Sequence, residues 1–124
     1  LVMVLAACAP GATGGAATSG GAASSVSEEQ LTAGGQVFAN RCTFCHGADG
    51  LGGDRGPAHA GNPVLAYSPF TVDRILYGYG YKKMPAFASR LSDEEIAAVA
   101  TYVRNSWGNN HGAVKTEWVT AARR

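Results

Sequence analysis

Cys42-Thr43-Phe44-Cys45-His46 is the stretch on which the reading of this chain turns. The spacing lets both thiols reach the two vinyl groups of one haem as thioethers and sets the next side chain, His46, beneath the iron. Two other chemistries use paired cysteines. A thioredoxin-like dithiol expects a βαβ setting, and no such pattern surrounds the motif. A zinc site needs a second ligand pair at finger spacing, for which only His59 and His111 remain. Haem attachment is the expectation that uses both cysteines and the histidine.

Upstream, Ser27-Glu28-Glu29-Gln30 followed by Leu31, Val37 and Phe38 reads as a capped helix over Glu28 to Asn40 that delivers the chain to Cys42. Downstream, Gly47 to Pro63 holds Gly50, Gly52, Gly53, Gly56, Gly61, Pro57 and Pro63, a composition of loop. Val72, Ile75 and Leu76 after Pro69 mark a short helix over Thr71 to Gly78, stopped by Gly78 and Gly80. Pro85 biases Met84 towards extended backbone, so Lys82 to Ser89 is expected to be loop. Ser92-Asp93-Glu94-Glu95 is a capping box opening a helix whose face is Ile96, Val99, Ala100 and Val103, ending near Trp107-Gly108. The tail is expected to add one more helical turn around Glu117 to Ala122. With no two-residue alternation anywhere, the expected fold is all-α, three to four helices with long loops.

The front of the chain is of another kind. No charged residue occurs from Leu1 to Ser27. Leu1 to Cys8 is an apolar run too short to span a bilayer. It reads as the remnant of a secretory signal peptide, in which Leu5-Ala6-Ala7-Cys8 resembles the lipobox where bacterial lipoproteins are cut and acylated. The plainer reading makes Cys8 an ordinary residue of a cleaved leader. Residues 9–27 are almost wholly Gly, Ala, Ser and Thr, which cannot bury a core and read as a flexible linker. Roughly 19 residues of such chain have an r.m.s. span of about 25 Å. The folded domain is then 28–124. If Cys8 carries lipid and the other two of the three cysteines carry haem, none is left over. A formal charge of +1 gives no electrostatic case for nucleic acid as a partner.

With Cys42, Cys45 and His46 set beside Gly34, Phe38, Gly56-Pro57 and Met84-Pro85, residues 31 to 107 resemble a class I c-type cytochrome, small and with a single haem. The resemblance implies that Gly34 and Phe38 pack against Tyr102 of the C-terminal helix. It implies that the Pro57 carbonyl accepts a hydrogen bond from His46, a contact that fixes the ring's tautomer. It makes Met84, the only methionine after the leader, the sixth iron ligand opposite His46. Bis-histidine ligation through His59 is the competing arrangement. His59 follows His46 so closely that it is expected to remain on the proximal side, and His111 is expected on the surface of the tail.

Imidazole opposite thioether favours ferrous iron and leaves no coordination position for substrate. The expectation is therefore an electron carrier, not an enzyme, with one covalent haem c. Its redox partners would be a quinol-oxidising complex, a dehydrogenase or a terminal oxidase. Export and the Cys8 anchor would place it in the periplasm or on the outer face of the cytoplasmic membrane. A gas-sensing or peroxidase-like protein with a labile Met84, and a fixed cytochrome subunit of a larger complex, are the alternatives. Leu65, Tyr67, Phe70, Ile75, Leu76 and Phe87 are expected to wall the haem. Tyr79, Tyr81 and Arg74 are candidate propionate contacts, and Lys82 and Lys83 are candidate docking charges for an acidic partner.

Overall fold

In the computed structural model the described residues are 25–80 and 83–124. Cys8, the segment 1–8, nearly all of the 9–27 linker, Tyr81 and Lys82 lie outside them. The order is α1 (Glu28–Arg41), α2 (Thr43–His46), a 3₁₀ turn (Pro63–Ala66), α3 (Ser68–Tyr77), α4 (Asp93–Asn105) and α5 (Thr116–Ala122). Among the described residues the only β pairing is two isolated bridges, Gly53 with Gly56 and Tyr79 with Met84. The fold is all-α as expected. Among the described residues there are five α-helices where three to four were expected, because the attachment motif forms a helical turn of its own and the tail is longer in helix than one turn. Among the described residues no helix is long and apolar enough to cross a membrane.

Ser27 starts α1 by accepting from the Gln30 backbone N–H at 3.1 Å. The Gln30 side chain does not complete a box there; it donates to the Val114 carbonyl at 2.8 Å and ties α1 to the tail. α4 has the full reciprocal box between Ser92 and Glu95. α1 and α4 make the principal helix crossing. Gly34 is what permits it: a Cβ on Gly34 would lie 2.1 Å from the Ala98 carbonyl oxygen. One turn on, Phe38, 2% exposed, meets the Tyr102 ring at 5.4 Å between centroids and fills the crossing. The expected trio of Gly34, Phe38 and Tyr102 is therefore in place.

α3 starts at Ser68, earlier than the apolar spacing indicated, with Pro69 in its first turn where no N–H bond is lost. Its inner side, Val72 and Leu76, joins Ile96, Val99 and Val103 of α4 in the core.

The tail is part of the core and not an appendage. Val114 and Val119 are fully buried. Arg104, only 4% exposed, holds the return of the chain by donating to the carbonyls of Leu65, Ala66, His111 and Gly112 at 2.8–3.2 Å. His111, expected on the surface of the tail, is half-buried with its backbone bonded to Arg104. At the other end of the strap, Arg123 pairs with Asp93 and donates to the carbonyls of Ala88 and Leu91.

Candidate haem site

α1 runs directly into the motif. The Cys42 N–H closes α1 on the Phe38 carbonyl at 2.9 Å, and the Cys42 carbonyl then accepts from Cys45 at 3.2 Å and His46 at 3.0 Å. One helical turn thus fixes both cysteines and the histidine to the same rigid element. Cys42 and Cys45 are half-buried free thiols. Burial, with the neighbouring Cys45 adding to it, pushes the Cys42 thiol up from 9.0 to about 11. A disulfide-exchange nucleophile needs the opposite shift from that of Cys42. Among the described residues no three His, Cys, Asp or Glu side chains are grouped to hold a metal ion.

His46 is 7% exposed, and its Nδ1 lies 2.8 Å from the Pro57 carbonyl oxygen. A carbonyl can only accept, so Nδ1 carries the proton and Nε2 keeps the lone pair. The loop that delivers Pro57 is laid down by backbone bonds: Gly52 N–H to the His46 carbonyl at 2.8 Å, and His59 and Ala60 N–H to the Gly50 carbonyl at 2.8 and 3.0 Å. Gly56 lets it come close, since a Cβ there would sit 3.0 Å from His46 Cε1 and 3.1 Å from Nδ1.

His59 lies against the His46 ring, centroids 4.0 Å apart and planes 22° from parallel. It is therefore on the proximal side, beside His46. Burial first, then electrostatic coupling to the neighbouring His46 ring, lowers its pKa from 6.5 to about 4. Phe38 at 5.8 Å and Trp107 at 6.0 Å complete an aromatic wall behind it. Asn109 holds the corner by donating to the His59 carbonyl at 2.9 Å and accepting from the Gly61 N–H at 3.0 Å. Trp107 and Asn109 were not singled out in the sequence. Only their nearness to the end of α4 hinted at them.

Met84 is carried on a separate loop. It exchanges two backbone bonds with Tyr79, at 3.0 and 3.1 Å, and is half-buried. Lys83 before it takes φ 60°. The following segment is stitched to α3 by Phe87 N–H to the Ile75 carbonyl and Ala88 N–H to the Leu76 carbonyl, both at 3.0 Å. Of the expected wall residues, Leu65, Leu76 and Phe87 are buried and Ile75 is half-buried. Tyr67 and Phe70, also expected there, are 67% and 37% exposed. They stand at the outward end of α3, in a surface cleft shared with Trp118 of α5. The Arg74 guanidinium lies over the rings of Phe70 and Tyr79, at 4.7 and 4.5 Å, an aromatic engagement the sequence did not indicate.

The family model described as cytochrome c oxidase, cbb3-type, subunit III matches residues 29–103. The chain belongs to the cytochrome c family. Cytochrome c6 of Synechococcus elongatus is 36% identical over 86 residues, 59% of this chain and 86% of that protein. The cytochrome c subunit of the quinone-linked alcohol dehydrogenase of Gluconobacter oxydans is 36% identical over 93 residues, 65% of this chain. The gluconate 2-dehydrogenase cytochrome c subunit of Pantoea cypripedii is 31% identical over 96 residues. The match spans only about a fifth of each dehydrogenase subunit, 20% and 22%.

The family's cofactor is covalent haem c, and Cys42 and Cys45 stand in the attachment position. The residues fit that group: two free thiols on one turn, an imidazole whose tautomer leaves Nε2 for iron, and buried apolar side chains from α3 and its following loop.

Proposed function

We propose that this cytochrome domain is a one-electron carrier whose haem c is bonded through Cys42 and Cys45 and ligated by His46 and Met84. The observation that carries the reading is the His46–Pro57 hydrogen bond, which presets the ring's lone pair on Nε2 before any iron arrives. The haem supplies the one-electron couple; the chain's own residues anchor, orient and shield it. Cys42 and Cys45 fix it to α2. Pro57 holds the His46 tautomer. Met84, tied to Tyr79 on both sides of its peptide, is positioned as a soft ligand that raises the potential. With imidazole and thioether both supplied by protein, no position remains for chemistry on a substrate, which supports a carrier over a gas sensor or peroxidase.

The chain is exported and anchored through lipid on Cys8, with residues 9–27 as tether, and works at the outer side of a cytoplasmic membrane. Its partners are membrane or periplasmic redox proteins. Similarity to cytochrome c6 supports a mobile carrier, while similarity to dehydrogenase cytochrome subunits supports a place beside a dehydrogenase. Potentiometric titration of the purified holoprotein tests the reading. A single one-electron wave with one haem per chain is expected, and binding of carbon monoxide by the reduced protein would overturn it.

A further inference from the structure

His59 makes a contact that attachment and ligation do not require. Its ring covers the face of the His46 ring at 4.0 Å, while Pro57 holds the edge of that ring through Nδ1. An edge-on hydrogen bond fixes the direction of one nitrogen but leaves the ring able to rock about the line of the bond. A flat group against its face removes that freedom.

His59 is itself immobilised. Its N–H donates to the Gly50 carbonyl, its carbonyl accepts from Asn109, and Phe38 and Trp107 back its ring. Its Nδ1 is buried with no hydrogen-bond partner among the described residues. A position used only for filling space would be served better by an apolar side chain, which has no nitrogen to desolvate. What histidine shares with the ring it covers is flatness and size.

We infer that His59 is a positioning residue that clamps the plane of the His46 ring and so sets the rotation of the axial imidazole about its bond to iron. The inference rests on the reading that His46 ligates the haem. In a low-spin ferric haem, the rotation of the axial imidazole governs how spin density is shared among the pyrrole rings, and hence the order of the haem methyl resonances in the proton NMR spectrum.

The test records that spectrum for the oxidised holoproteins of wild type, His59→Leu and His59→Phe at one pH, with helical signal and haem content measured alongside. His59→Leu removes the flat face at similar volume and is expected to reorder or compress the methyl shifts and to move the reduction potential. His59→Phe restores a flat face and is expected to keep the wild-type order. Wild-type order in His59→Leu, or equal disturbance in both variants, would overturn the clamp. A wild-type protein without a low-spin spectrum would bring down the ligation reading itself, and the clamp with it.

Discussion

His46 Nδ1 and the Pro57 carbonyl oxygen are 2.8 Å apart, and the acceptor is backbone, not side chain. Pro57→Ala is therefore expected to keep the bond and the visible spectrum close to wild type. Gly56 is the sensitive neighbour, because any Cβ there presses the His46 ring at 3.0–3.1 Å. Gly56→Val is expected to cost about 1–3 kcal/mol and to disturb the haem spectrum. Paired thermal melts and visible spectra of the two variants check this, and a Pro57→Ala protein more damaged than Gly56→Val would refute it.

The α1–α4 crossing makes a second prediction. A side chain on Gly34 meets Ala98 backbone at 2.1 Å, and backbone cannot rotate aside. Gly34→Val is expected at the upper end of the overpacking range, about 3 kcal/mol or more. For a domain of this size that lowers the melting midpoint by about 12 °C or more. Gly35→Ala, whose Cβ meets only the outer atoms of the Tyr102 ring, from 3.2 Å, is the control expected to cost much less.

Arg104 was read in the sequence only as part of a helix, and its place in the core was not legible. A basic residue in the last turn of a helix ordinarily faces solvent and the helix dipole. Here the charge is satisfied by carbonyls from two chain segments brought together only by the fold, Leu65–Ala66 and His111–Gly112, and local sequence carries no record of them. The tail was underread for the same reason: Val114 and Val119 are isolated apolar residues whose burial depends on α1 and α4 already being paired. What was legible had local causes. The capping box of α4, the glycine at the helix crossing and the Cys42–His46 spacing each act within a few residues.

Removing Arg104 tests the strap. Arg104→Ala takes this donor from the Leu65, Ala66 and His111 carbonyls, while Gly112 keeps Asn105, and is expected to cost about 3 kcal/mol or more. Arg104→Lys should recover only part, since an ammonium cannot span the forked set of acceptors. Chemical denaturation of the three holoproteins measures the series, and a neutral Arg104→Ala would contradict the role.

Asp93 gives the pH dependence. Hydrogen bonds from Thr120 and Arg123 hold its carboxyl below the usual 3.8. The unfolded chain therefore takes up the proton first as pH falls. The stabilisation is fully present above about pH 4 and is lost as pH drops through the folded-state value. The difference in melting midpoint between wild type and Asp93→Ala is expected to hold near neutral pH and to narrow below about pH 4. A difference unchanged down to acid conditions would show that the pairing with the tail is not responsible.

In the proposed carrier His46 and Met84 close both axial positions of one haem. The red region of the absorption spectrum of the oxidised holoprotein near neutral pH tests it most directly. A methionine-to-iron charge-transfer band, lost in Met84→Ala, is the result expected. A wild-type protein without that band would contradict the account.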